Sequence, residues 1–375
     1  MKILVNAITA KMGGFKTLII SFIENISEDD GNEYYFLCPK GVIDKSLLYK
    51  RNINIIETDK GNINHIKRFL WYQFSLPKYL KNNKFDYMIN LTNYGPIKPK
   101  CNQILLLHNS KHVSDQIKES FSMQNRIKLF VQDIVFKCSL IGTDTLVVQT
   151  NYMKEGIIRK FKFPADKIKI IPSAPCEIID DDFDEETQLK IKDFIGSENN
   201  IICNITLYAA HKNLELLLYA IKYIKDNDLC KLKLIITIDK YGGSEQENLI
   251  NMISELNIQD YVLSIGSIKH NNIKKLLDLS KVFIFPSYAE SFGIPFVEAM
   301  KCGKPIVAAD LGFAHDVCGD SAVYFKYNDE KELAKSISDV LNNENLLHEK
   351  TENAIKRSFL FNEKDIVKQY VELLV

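Results

Sequence analysis

KVFIFPSYAESFGIPFVEAM, residues 281–300, carries an apolar run, a turn and a helix start in close succession. Val282–Phe285 is a buried-strand run that stops at Pro286-Ser287. Gly293-Ile294-Pro295 then opens a helix, because proline's fixed φ and missing N–H suit the first helical position. Glu290 precedes the turn and Glu298 falls near the first turn of the helix. Glutamate is costly to bury without a partner. Either this is a solvated loop and helix face, or both carboxylates meet a bound polar ligand. The N–H groups of Phe292, Gly293 and Ile294 would form an anion-accepting turn between them. Carboxylates accept hydrogen bonds from sugar hydroxyls and N–H groups suit phosphate, so the arrangement fits a nucleotide sugar.

The strand-then-helix pattern repeats in both directions. Strands are expected at KILVN, YYFLC, INIIE, YMINL, QILLLH, TLVVQT and IKIIP. Helices are expected between them, near 14–26, 64–82, 112–138 and 151–162. A second series follows: IICNI, KLKLIIT, VLSIG, VFIFPS, PIVAA and AVYF, with helices near 212–226, 244–257, 270–279, 295–302 and 329–342. Apolar strands alternating with helices predict parallel sheets covered on both faces. With 375 residues the chain exceeds one ordinary core. Two doubly wound α/β domains are expected, 1–174 and 175–360, parted within PSAPCEIIDDDFDEETQ at 172–188. The closing segment FNEKDIVKQYVELL is helical by period. It either caps the second domain or crosses back to the first; residues 361–375 are assigned to the first as a crossing helix.

The composition, 46% apolar and 26% charged, is that of a globular protein. No apolar run reaches membrane-spanning length, and MKILVNAITA lacks a signal-peptide pattern. None of the eight cysteines forms a CxxC pair. Buried free thiols and a cytoplasmic location are therefore expected. Net charge is zero but uneven: residues 1–175 hold 26 basic against 15 acidic side chains, residues 176–375 hold 22 against 33. This is either drift or a basic half that meets an anionic membrane or a phosphate-bearing acceptor. Nucleic acid is not expected, since zinc-finger, RNP-like and Arg-rich helical motifs are absent. The segment IKESFSMQNRIKLFVQDIVFK, 117–137, suits a membrane surface or a packed core equally.

Three stretches are candidates for anion binding. Gly13-Gly14 after the first strand lets an anion approach backbone N–H groups, although the spacing is neither a Walker A loop nor Gly-x-Gly-x-x-Gly; the latter argues against a nicotinamide dehydrogenase. In ITLYAAHKNLELLLYAI, His211 and Lys212 stand at a strand-to-helix junction with Asn213 as expected N-cap. A cation just before a helix N-terminus is disfavoured unless a negative ligand lies between. The third is the turn at 291–294. The acidic run DDDFD matches an Asp-x-Asp metal pattern but reads as a solvated linker.

These residues resemble the retaining glycosyltransferases of family 4. ESFGIPFVE matches that family's Glu-x7-Glu signature, and HKNLELLLYAI is similar to the His-Lys-Asn variant of its donor-phosphate loop. LSKVFIFPS, MKCGKPIVAAD and FNEKDIVKQYVEL resemble its flanking segments. The resemblance implies a GT-B fold, two Rossmann-like domains facing across a cleft, with the acceptor side in the first and the donor side in the second. It implies that Glu298 binds the donor ribose and that Glu290 contacts the donor sugar near the reacting carbon. Backbone groups of Ser291, Phe292, Gly293 and Ile294 would meet sugar hydroxyls and phosphate. Lys212 would neutralise the diphosphate, with Gly13 and Gly14 facing it; Gly266 would lie near the base. His108 would stand near acceptor and donor sugar, with Lys212 and Glu290 completing the catalytic set. Many relatives carry an arginine where this chain has Leu207. The implied activity is metal-independent, cofactor-free hexosyl transfer with retention, from a UDP- or GDP-sugar to a glycan or lipid-linked acceptor in polysaccharide synthesis. A nucleotide-sugar epimerase or a non-catalytic sugar-binding protein on the same fold are the alternatives.

Overall fold

The computed structural model describes residues 1–10, 14–43, 50–173, 175 and 180–374. The chain divides into Met1–Cys176 with Phe361–Val375, and Glu177–Leu360. In the first unit the strands are β1 (Lys2–Asn6), β2 (Glu33–Cys38), β3 (Ile53–Glu57), β4 (Tyr87–Asn90), β5 (Asn102–Leu107), β6 (Thr145–Val148) and β7 (Ile168–Ile170). They form one sheet in the order β3-β2-β1-β4-β5-β6-β7. The second unit has β8 (Ile201–Asn204), β9 (Lys233–Ile236), β10 (Val262–Ser264), β11 (Val282–Phe285), β12 (Ile306–Ala309) and β13 (Ala322–Phe325). Their order is β10-β9-β8-β11-β12-β13. Neighbouring strands pair parallel in both sheets. The expected two doubly wound parallel sheets are therefore the observed fold.

Strands β4, β8, β11 and β12 are buried along their whole length. A parallel strand under helices on both faces has no solvent side, which is why these segments are apolar runs and not alternating ones. Strand order reverses direction between β1 and β4 and again between β8 and β11. Buried asparagines sit at the carboxyl ends of strands at both reversals. Asn6 Nδ2 donates to Asn90 Oδ1 at 3.1 Å, and Asn204 Nδ2 donates to the Ile284 carbonyl at 2.8 Å.

The helix Glu363–Val371 belongs to the first unit. Asn362 caps it, accepting from the N–H groups of Lys364 and Asp365. Ile366, Val367 and Tyr370 enter the same core as Ile19, Phe22 and Ile23. The Tyr370 and Phe22 rings meet edge-on at 4.9 Å.

Helices Glu185–Ile195, Gly312–Cys318 and Glu344–Ser358 were not among the expected elements. The first begins inside the acidic run, with Asp184 as its N-cap. The last buries only Ala354 and Ser358, so it carries almost no apolar period. The expected helix at 112–138 is broken into a turn at Ser110–His112 and helices Asp115–Ser120 and Met123–Ile141, because Ser122 caps a new start.

Tyr370→Ala is expected to destabilise the first unit by about 3–5 kcal/mol. Urea unfolding followed by circular dichroism should show the drop; an unchanged midpoint would place the helix outside that core.

Candidate active site

The reversal between β8 and β11 sends their following connections to opposite sides, which opens a crevice at the strand ends. The loop after β8 carries His211 and Lys212 in a single turn, Ala210–Lys212. The loop after β11 carries Glu290. Lys212 Nζ lies 2.6 Å from Glu290 Oε1 and 5.0 Å above the Phe285 ring. Both charged side chains are largely withdrawn from water, 16% and 14% exposed. The loops are also tied through backbone: the Tyr288 N–H donates to the His211 carbonyl at 2.9 Å. Ser287 Oγ is 2.9 Å from that carbonyl and 2.9 Å from Glu290 Oε1, and its single proton serves one of them at a time. His211 Nε2 stands 4.0 Å from the same carboxylate. Burial lowers the His211 pKa; Glu290 works against this and Lys212 with it.

Asn213 takes the N-cap position of the helix Leu214–Asp226, but not in the expected way. Its backbone is left-handed at φ 56°, and its side chain makes no capping bond. Its Nδ2 is buried and has no hydrogen-bond partner among the described residues. Asparagine is among the residues that tolerate this backbone region.

Gly293 is the N-cap of the helix Ile294–Lys301, with φ at 89°. A Cβ there would stand 2.7 Å from the Phe296 ring, so both conformation and space select glycine. Pro295 occupies the second helical position, one residue later than expected, where an amide N–H would also lack an intrahelical partner. Phe292 is buried, and Ser291 and Ile294 are half-buried. Glu298 lies in the second turn and not the first. Its side chain is 6% exposed, with Oε1 3.2 Å from His270 Nε2. That hydrogen bond raises the His270 pKa against its desolvation. His270 was not singled out by the sequence reading; it opens the short turn His270–Asn272 ahead of the helix Ile273–Leu279, where no apolar period marks it. Gly266, at φ 80° after β10, borders open space.

The two glutamates therefore enter separate pairs, Glu290 with Lys212 and Glu298 with His270, and neither points into bulk solvent. His108 belongs to the first unit, at the end of β5. Its N–H donates to Asn93 Oδ1 at 2.9 Å, and its Nε2 lies 3.0 Å from Asn93 Nδ2. The first bond orients the amide, so Nδ2 donates and Nε2 accepts. Burial pushes the His108 pKa down to about 4. Gly14 begins the helix Gly14–Asn25, and Gly13 lies outside the described residues.

The acidic run has structural work. Asp180 pairs with Lys274 at 3.1 Å, and Asp182 with Lys275 at 2.6 Å. Asp184 accepts from the Thr187 N–H at 2.8 Å. Among the described residues no group of three or more His, Cys, Asp or Glu side chains is placed to hold a metal ion.

Residues 185–357 match the family Glycosyl transferases group 1. The O-antigen chain mannosyltransferase B of Escherichia coli is 23% identical over 53% of this chain and 52% of its own, so the match spans about half of that relative. Sucrose-phosphate synthase from Thermosynechococcus elongatus has a similar structure, with a TM-score of 0.75 and 17% identity over 100% of this chain and 98% of that one. Anabaena Alr3699/HepE, in complex with UDP and glucose, gives a TM-score of 0.72 and 19% identity over 100% and 99%.

His108 is protonated less readily folded than unfolded, so its contribution to stability is complete above pH 6.5 and is lost as pH falls from 6.5 towards 4. The loss amounts to roughly 3 kcal/mol. His108→Gln should flatten urea midpoints across that range; a variant with the wild-type slope would mean that the ring titrates normally.

Proposed function

With residues 185–357 a group 1 glycosyl transferase domain on a GT-B fold, we propose that this chain is a retaining glycosyltransferase. It moves a hexosyl group from a UDP- or GDP-sugar to a glycan or lipid-linked acceptor in polysaccharide synthesis. The observation that carries the reading is the Lys212–Glu290 pair at the β8/β11 reversal, where an ammonium and a carboxylate stand 2.6 Å apart. A nucleotide sugar has a chemical match for each: diphosphate for Lys212, and sugar hydroxyls for Glu290. Glu298, positioned by His270, accepts from the ribose hydroxyls. Backbone groups from Ser291 to Ile294 serve sugar and phosphate, and Gly266 leaves room beside the base. The O-antigen mannosyltransferase relative supports a glycan acceptor, and the Anabaena neighbour's UDP and glucose support the donor class.

In the reaction the bond between the anomeric carbon and the phosphate oxygen breaks, and its electron pair stays on the diphosphate. The acceptor hydroxyl oxygen bonds to the anomeric carbon on the same face. Its proton passes to the departing phosphate oxygen. Lys212 stabilises the charge that develops there, in a site with little water to screen it. His108 suits this scheme as a neutral ring that packs and orients. Its Nε2 lone pair already accepts from Asn93, and a conjugate acid near about 4 is a weak base at neutral pH. Where many relatives have arginine, Leu207 is exposed, so Lys212 carries more of the compensation. No metal or cofactor enters the scheme.

Nucleotide release from UDP- and GDP-sugars, with acceptor present, tests the proposal. Lys212→Ala and Glu290→Gln should each lower kcat at least about tenfold while the fold is kept. Wild-type turnover from either variant would refute the site. Interconversion of the donor sugar without acceptor would favour an epimerase. His270→Ala should raise the donor KM more than it lowers kcat. Chelator should leave turnover unchanged; a manganese requirement would overturn the metal-free scheme.

A further inference from the structure

The helix Met123–Ile141 in the first unit has two apolar faces. Leu129, Phe136 and Leu140 are buried, the last two in the cluster that also holds Leu105, Leu107 and Val148. Met123, Ile127, Phe130, Ile134 and Ile141 are all exposed; Met123 is 72% and Phe130 66% exposed. Their spacing of 4, 3, 4 and 7 residues places them on one face. That stripe runs for roughly 27 Å along the helix. Arg126 and Lys137 flank it on one side and Lys128 on the other, all exposed. Asp133, the helix's one carboxylate, is engaged elsewhere: Oδ1 lies 2.8 Å from His112 Nδ1, and Oδ2 pairs with Lys160. Beside the stripe is an apolar cavity of about 380 Å³, bordered by Ile134, Lys137, Ile141, Phe161, Lys162 and Phe163.

A second stripe lies on the same side of the sheet. Ile66, Leu70 and Phe74 are exposed at a spacing of four, next to Lys67 and Arg68. The inward residues of that segment, Tyr72, Leu76 and Leu80, pack on Leu4 and Met88. Strand alternation and register put Leu4 and Met88 on the sheet face that also carries Leu105 and Leu107. Both helical segments thus cover one face of the seven-stranded sheet, and each shows an apolar row on its outer side.

We propose that this outer helical face is a docking surface for an anionic lipid bilayer. An apolar stripe flanked on both sides by Lys and Arg is the pattern of a helix lying in a membrane interface. Charge selects the occupant. Residues 1–176 and 361–375 hold 28 Lys and Arg against 18 Asp and Glu, a net of +10, whereas residues 177–360 hold 20 against 30. A second copy meeting this face through a twofold axis would set like charges opposite one another, which disfavours self-association. Anionic headgroups complement the same face. Among the described residues no helix is long and apolar enough to cross a membrane, so the contact is peripheral. The inference deepens the lipid-linked acceptor reading, but binding is measured without donor, acceptor or turnover, so either can fail alone.

The test is co-sedimentation of the full chain with phosphatidylcholine vesicles, with and without an equal part of phosphatidylglycerol. Binding should require the anionic lipid and fall steeply with added salt. Phe130→Glu with Ile134→Glu should abolish it. Lys128→Ala and Lys137→Ala should each weaken partitioning about fivefold. All four side chains are exposed, so the variants should keep the wild-type circular dichroism and nucleotide release. Absence of binding to anionic vesicles, or full binding by the double glutamate variant, would overturn the proposal. Sedimentation velocity supplies the other arm: a dimer lost in the glutamate variant, with no lipid binding, would assign the face to a second copy.

Discussion

Lys212 and Glu290 are 78 residues apart in the chain and 2.6 Å apart in space. What brings them together is the requirement that a parallel sheet be buried on both faces. β8 and β11 have no solvent-facing side, so neither tolerates charge along its length, and polar chemistry is confined to the residues just beyond their carboxyl ends. Because strand order reverses between them, their following helices diverge and the two loops share one crevice. The backbone bond from Tyr288 to His211 then holds the loops in register. The ion pair is thus a consequence of topology before it is a feature of any reaction.

Its surroundings make it costly to disturb. Two opposite charges withdrawn from water gain more from each other than an exposed pair does, and lose more when one partner is removed. The exposed pair of Lys222 and Asp226, on one helix, contributes well under 1 kcal/mol by comparison. The Glu298–His270 pair is a milder case, since His270 keeps part of its ring in water. One carboxylate is therefore held by an ammonium and the other by an imidazole whose pKa that contact raises.

Much of the fold could be read from residue patterns because its strongest elements are continuous apolar runs, such as VFIF in β11 and IICN in β8. What escaped the reading had weak local signals. Glu344–Ser358 buries almost nothing, and Glu185–Ile195 starts in an acidic stretch whose carboxylates serve as cap and ion-pair partners. Of the candidate site, the residues beside Gly293 and Pro295 stood out, since glycine suits a left-handed N-cap and proline suits the first helical turn. His270 did not, because its importance lies in a contact with Glu298 28 residues away. The Asn213 conformation was hidden for a related reason: a side chain that commonly caps helices is found here with left-handed backbone and a buried amide nitrogen that has no partner among the described residues.

The helix Met123–Ile141 marks where periodicity stops being informative. A helix over a sheet needs one apolar stripe, and its period identifies that stripe when the opposite face is polar. Here residues from both faces are apolar, so the sequence reports an amphipathic segment without saying which face is the core. Burial separates them: Phe136 is enclosed, while Phe130, six positions earlier, is largely exposed. The outward stripe then needs an account that core packing cannot supply. Exposed apolar side chains in a row oppose solubility unless something covers them. The basic residues around this row, and the surplus of positive charge in the same unit, restrict that cover to something negative.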